Sequence, residues 1–380
     1  TTAYIGANTT VTSAGAINVV AFDDVTAEHL TTTIGVGATA AGVGVGMAVA
    51  VVFGNVRAFV EQGAKLSAEG DVNILARAGS TGVDAPDGQN DMLQSYIKDD
   101  SIDLKPFKLT IRTVSFSAGV GLYAGVAVAL GSTSLLSQVE AYLEGDVIKA
   151  DNVNVNAKSD YPYVITGTLA AGGAAVGVSA SVSIVTVNGK TYAGITGNSQ
   201  IGQTGNVGNV HVLANANTGA LSIGGVASAG GVAVNGAITV VVNRALVESM
   251  IGQAVKLKAS GNVKVESDVD TTADAILVSM PVGGVAVGVS AAIVVLDADV
   301  LTYAGAKPGS QKNVSAIGAI QAATMDIISD VSTKAGAYVV SVTGGAVAVG
   351  GNILLVFNFT DSQTGINRIN VTTTGDIDVD

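Results

Sequence analysis

The sequence predicts an all-β fold: a parallel β-solenoid of about six repeats of roughly 53–61 residues, elongated, with residues 1–380 forming one unit. Three observations carry this expectation. A Val-rich phrase recurs at Gly42–Gly46, Gly125–Ala129, Ala175–Ala180, Gly231–Ala237, Gly284–Ser290 and Gly345–Gly350. Two independent markers keep a common period. Segments after Gly-Asn or Gly-Asp turns alternate apolar and polar residues with period 2, the pattern of a half-exposed strand.

The first marker is the glycine before the Val-rich phrase. From Gly173 to Gly231 is 58 residues, then 53 to Gly284 and 61 to Gly345. The second is an aromatic or Met-led step at Tyr4, Phe59, Tyr142, Tyr192, Met250 and Tyr303, with separations of 55, 83, 50, 58 and 53. The outlier of 83 contains a non-repeating insertion, residues 81–105, and falls to 58 without those 25 residues.

Each unit reads as three parts. An opening strand such as Asp274–Ser279 comes first, then a glycine turn and the long Val-rich strand. A short alternating strand follows a turn: Gly70–Ala76, Asn152–Asn156, Gly208–Leu213 and Gly261–Glu266. Gly, Asn and Asp supply the turn chemistry there.

Successive side chains of a strand point to opposite faces. Val285, Val287 and Val289 therefore share one face, and Ala286, Gly288 and Ser290 the other. Gly44 and Gly46, Gly177 and Ser179, and Ala233 repeat the small face in other units. Glycine weakens a strand unless another backbone approaches closely. The expectation is a branched face forming the solenoid core. The small face (Gly44, Gly46, Gly177, Ser179, Ala233, Ala286, Gly288, Ser290) then presses on a second sheet or a neighbouring molecule.

Charged residues are 13% of the chain, about half the usual share, and the net charge is −12. No basic patch exists, so nucleic acid is not an expected partner. There are no cysteines and no Trp. Thr1–Thr10 has no signal-peptide pattern, and the chain starts and stops within repeats, which reads as a segment of a longer protein. A competing reading is membrane insertion, because residues 30–55 and 275–296 carry no charge and are long enough to span a bilayer as helices. The period-2 alternation, the poor helix propensity of Val and Gly, and the lack of flanking Lys/Arg argue against it.

Together these repeats resemble those of large secreted bacterial adhesins. The pattern is an aromatic-Ile-Gly step, a turn, Val-x-Val-x-Ala, then Gly-Gly-Val-Ala-Val-Gly-Val-Ser-Ala. It is similar to the filamentous haemagglutinins and the leukotoxin-type filamentous adhesins, over nearly all of the chain except residues 81–105. The resemblance implies a β-solenoid shaft, two-partner secretion, a secreted or cell-surface location, and attachment or self-association. The secretion domain of that family is not recognisable here.

Catalytic and metal chemistry find little support in the residues. His29 and His211 are the only histidines and fall in different repeats. Without cysteine, zinc lacks its usual sulfur ligands. No cofactor is expected. The candidate for Ca²⁺ is Asp297 with Asp299, which a spacing of two puts on one face of a strand. Paired carboxylates keep a carbohydrate-active β-helix as an alternative, although the acids are scattered. A pore-forming or cytolytic passenger is the other alternative. The insertion carries Asp84, Asp87, Asp91, Tyr96, Asp99 and Asp100, which make it a candidate partner loop.

Overall fold

The computed structural model describes residues 1–38, 40–79, 111–205, 207–309 and 317–380. The candidate partner loop, residues 81–105, lies outside them.

The chain winds into parallel coils. It enters through β1 (Thr2–Ile5), β2 (Thr10–Ser13), β3 (Ile17–Asp24), β4 (Ala27–Gly37) and β5 (Ala41–Val60). The next coil is β6 (Lys65–Ala68), β7 (Val72–Gly79), β8 (Ile111–Gly121) and β9 (Ala124–Leu143). Then come β10 (Asp146–Gly173) with β11 (Val176–Ile195), β12 (Gln200–Ile201) with β13 (Val207–Gly252), and β14 (Lys256–Lys258) with β15 (Asn262–Gly305). The last full coil is β16 (Ala319–Ala322), β17 (Thr324–Ser341) and β18 (Val347–Asn367), followed by β19 (Asn370–Thr373) and β20 (Ile377–Val379).

Each coil is strongly flattened. A short strand closes one end. A long outgoing strand leaves it, reverses at the opposite tip, and returns as an equally long strand. The return strand β11 has 20 residues, so a coil is about 65 Å across. Coils stack about 4.8 Å apart. The alternating segment and the opening strand, read as separate elements in the sequence, are one continuous strand in β10, β13 and β15. The true third element is the short closing strand, only two residues long at β12.

Stacking is parallel throughout the described strands and in register except for irregularities at Tyr161–Val164 and Val147–Lys149 in β10. Val11, Leu66, Val147, Ile201, Leu257, Ile320 and Val371 form one column of the closing sheet. Ile17, Val72, Val153, Val210, Val263 and Met325 form another on the outgoing sheet. These large aliphatics fill the wide end, which we call the base. The main core of buried residues lies there. Polar ladders run along its outside: Asn154 donates to Asn73 and Asn73 to Asn18, each at 2.8 Å. Asn209 donates to Asn152 (2.9 Å) and Asn152 to Asp71 (2.8 Å), which accounts for the recurring Asn beside the turns.

The two long sheets converge from the base toward the tip. Along the inner face of β11 the side chains grow from Gly177 through Ser179, Ser181 and Ser183 to Val185 and Val187, all turned inward. In β5 the same face runs Gly42, Gly44, Gly46, Ala48 and then Val52. Residue volume thus sets a taper: the walls nearly touch at the tip and stand apart at the base. We call the thin half the fin. Among the described residues its apolar core is a small cluster of Ala127, Ala129, Ala170, Val226, Ala237 and Leu277.

Two sequence expectations need correction. The Val face is not the core. Val289 and Ile238 are 54% and 45% exposed, while Ala286 and Ser290 on the opposite face are 0% and 1% exposed. Toward the tip the inner gap of the fin is too thin for most branched side chains, so most of the branched residues face outward. The aromatic marker also slips at Tyr192. Tyr142 pairs with Gly194, and Tyr192 pairs with Glu140 and Glu248, so the step from Tyr142 is 52 residues rather than 50. The Tyr192 ring lies over Gly194, where an added Cβ would be 2.6 Å from its hydroxyl, and covers the position an in-register aromatic would fill.

Candidate functional site

Two surfaces stand out: the fin, and a charged groove at the base corner of the return sheet.

Inside the fin, the small residues meet the facing sheet of the same chain. A Cβ on Gly44 would overlap the Ala118 carbonyl oxygen, and one on Gly46 would sit 2.9 Å from the Phe116 oxygen. On Gly177 it would be 2.8 Å from the Ala229 oxygen, whereas on Gly288 the nearest atom is Pro281 Cγ at 3.1 Å. Ser179 Oγ donates to the Ala227 carbonyl across the gap at 2.6 Å. Ala233, Ala286 and Ser290 are buried on the same wall. The small face is therefore an intramolecular wall-to-wall contact.

Hydroxyls line the middle of the fin. Thr239 donates to Ser222 (2.6 Å) and Ser222 to Ser183 (2.7 Å); Thr168 and Ser181 pair at 2.6 Å. A hydroxyl is small enough for the gap and can reach carbonyls of the opposite wall, as Ser183 does to Thr166 at 3.2 Å.

Outside, the polarity is inverted. Val43, Val126, Val178, Val234, Val287 and Val349 form one outward column of the return sheet. The column of Met47, Leu130, Val182, Ile238, Ala291 and Ile353 lies two columns further on. The outgoing sheet presents Phe116, Leu169 and Val278 in one column and Met280 and Val282 nearer the tip. The charge-free stretches seen at 30–55 and 275–296 prove to be general. Residues 113–139, 161–189, 212–243 and 335–360 also contain no Asp, Glu, Lys or Arg, so every coil crosses the tip uncharged. That six-fold recurrence is the signal the sequence held for this surface.

At the base corner, ring and charge ladders alternate. Tyr4, Phe59 and Tyr142 stack with centroids 5.4 and 4.9 Å apart, and Arg57 lies over Phe59 and Tyr142. Arg57 also donates to Glu140 (3.1 Å), which Lys190 approaches at 3.0 Å. Next to them is a shallow cleft of about 190 Å³ lined by Glu140, Tyr142, Glu144, Lys190, Tyr192 and Glu248, among others. Burial raises the Glu140 pKa, but hydrogen bonds from Gln138 and Lys190 and the charges of Lys190 and Arg57 outweigh it, leaving the group below its ordinary value. Glu248 accepts from Tyr303 (2.7 Å) and pairs with Lys307 (3.2 Å). Burial and the neighbouring Glu248 push the Tyr192 and Tyr303 phenols well up. These groups pin one another between coils.

Asp297 and Asp299 do share the outward face of β15, at the base edge of the fin. Arg244 approaches Asp297 at 3.8 Å. Burial, Asp297 and Asp361 raise the pKa of Asp299. Among the described residues no group of three or more His, Asp or Glu is placed to hold a metal ion. His211 lies on the outer base face, 3.1 Å from Glu266, which Lys264 also holds at 2.8 Å. His29 is near Thr31. No helix among the described residues is long and apolar enough to cross a membrane.

No protein family, curated protein or solved structure matches the chain.

Proposed function

We propose that the chain is a structural and adhesive shaft: part of a secreted or surface-displayed bacterial fibre that attaches to a host or neighbouring cell, or to other fibres. The observation that supports this most is the coil-on-coil parallel stacking. Seven coils contribute to a single aliphatic column from Val11 to Val371. Such a ladder lengthens by repetition without needing a new core. Two-partner export and surface display belong to the same proposal and rest on the resemblance of the repeats.

The base groove supports a structural reading over carbohydrate cleavage. A general acid needs a carboxyl whose pKa is raised toward neutrality. Glu140 is held below its ordinary value, and Glu248 is occupied by Tyr303 and Lys307.

Electron microscopy with fibre diffraction of the purified chain tests the shaft. Ribbons about 65 Å wide with a 4.8 Å meridional repeat are expected. Compact particles without that repeat, together with no adherence to epithelial or bacterial cells, would remove the reading.

A further inference from the structure

The structure assigns the fin a second role, separate from stacking: we infer that it inserts its tip into the hydrocarbon of a neutral lipid bilayer. Four features carry this.

The first is extent. Five outward columns of the return sheet, Val43 to Val51 in the first coil, stack over six coils. That is a field of about 900 Å² on this face alone, with apolar side chains except at Ser132, Ser134, Thr186, Gly236 and Gly351. A typical monomer's largest apolar patch is about 300–600 Å².

The second is that both faces are apolar and only a thin wall separates them. Leu169 and Met280 lie outward on the outgoing sheet, and Val176 and Val289 outward on the return sheet. A second copy laid against one face would leave the other face and the tip in water. A fluid apolar phase covers all three together.

The third is the distribution of charge. In the fifth coil the nearest charges to the tip at Gly283 are Asp274 and Asp297. Those distances along the strands are about 30 Å on one face and about 45 Å on the other. The hydrocarbon core of a bilayer is about 30 Å thick. Charges lie only toward the base, and the net charge of −12 with no fin Lys or Arg favours neutral over anionic headgroups.

The fourth is backbone satisfaction, the strictest demand of hydrocarbon on a polypeptide: every fin strand between the two end coils is paired on both sides. At the tip, hydrogen bonds join one coil's reversal to the next. Tyr123 N–H donates to Ala40 O (3.0 Å), Val176 to Tyr123 (2.9 Å), Val232 to Ala175 (3.0 Å) and Gly283 to Gly344 (2.8 Å). Most polar side chains of the fin turn inward, and several bond across the gap, as Ser183, Ser222 and Thr239 do. The outer skin is left largely aliphatic, with Ser132, Ser134 and Thr186 at its base edge.

Flotation with phosphatidylcholine vesicles tests this on the full chain. The chain has no Trp, so Val289→Trp and Lys264→Trp each give a single reporter on the fin and the base. Expected results are co-flotation of the protein, and a blue-shifted Val289→Trp emission quenched by brominated lipid chains, with Lys264→Trp unaffected. Val234→Lys, Ile238→Lys and Val289→Lys combined should reduce partitioning at least a hundredfold, with the β circular dichroism retained. Any of three results overturns the inference: no flotation of the unmodified chain, equal quenching at both reporters, or a vesicle-free dimer in sedimentation that buries Val289→Trp. Ribbon formation is a separate readout, so loss of the shaft reading and loss of this one are told apart.

Discussion

The base and the fin are built from the same strands, in the same parallel ladder, with opposite polarity. In the base, Leu66, Ile74, Leu143 and Ile201 are fully buried and the outside carries Asn, Lys and Asp. In the fin, Ser and Gly are inside and Val, Ile and Met are outside. The difference is one of available volume. Apolar residues go inside only where the walls leave room for them. Where the walls meet backbone to backbone, the smallest residues win the interior whatever their polarity, and the strand's branched residues are left for the outer skin.

The sharpest break of this comparison is steric. Gly44→Leu places a side chain into the Ala118 backbone and should prevent folding, read as loss of β circular dichroism. Gly236→Leu, on the outward face of β13 with open space around it, should change stability by less than about 0.5 kcal/mol. Equal damage at both would dissolve the distinction between the two faces. Gly288→Leu with Ser290→Leu falls between them, because the nearest obstacle at Gly288 is the Pro281 ring rather than backbone.

A second test compares the base interior with the outer skin of the fin. Leu143→Ala in the base should cost about 3 kcal/mol in denaturant unfolding. Val234→Thr on the outside of the fin should cost less than about 1 kcal/mol in the same measurement. A reversal of that order would mean that the aliphatic skin is the stabilising element.

The charged groove gives a smaller, pH-dependent effect. The folded-state pKa of Glu140 is depressed, so its ionised form stabilises the fold above the ordinary value of 4.5. That contribution is lost as pH falls through the depressed value. Glu140→Gln should therefore lower the melting temperature at pH 7, by the equivalent of about 1 kcal/mol given the half-exposed Arg57 and Lys190. The gap to the unmodified chain should close on acidification below the ordinary value of 4.5. Lys264→Leu on the base surface should show the smallest change, within about 0.5 kcal/mol.

Much of the architecture is readable in the sequence, and the misreadings have physical causes. Periodicity exposes the strands, the coil length and the split between Val289 and Ser290. It does not tell which face is inside, because alternation is symmetric and the rule that apolar means buried presumes room. The gradient from Gly177 through Ser183 to Val187 does carry that information, since a taper can only be an inner wall. Tyr192 misleads as a marker because its ring leans two residues along the strand to cover Gly194. β12 is too short for any periodic signal.

The uniform taper gives the chain a modular grammar. Val232 stacks on Val285, so excision of residues 232–284 would join Gly231 to Val285 and lay the Gly177–Ser183 wedge beside the Ala286–Ala292 wedge. Each wedge is an interchangeable tile. A gene encoding such a protein can gain or lose whole turns by unequal recombination, and every descendant length arrives already able to close.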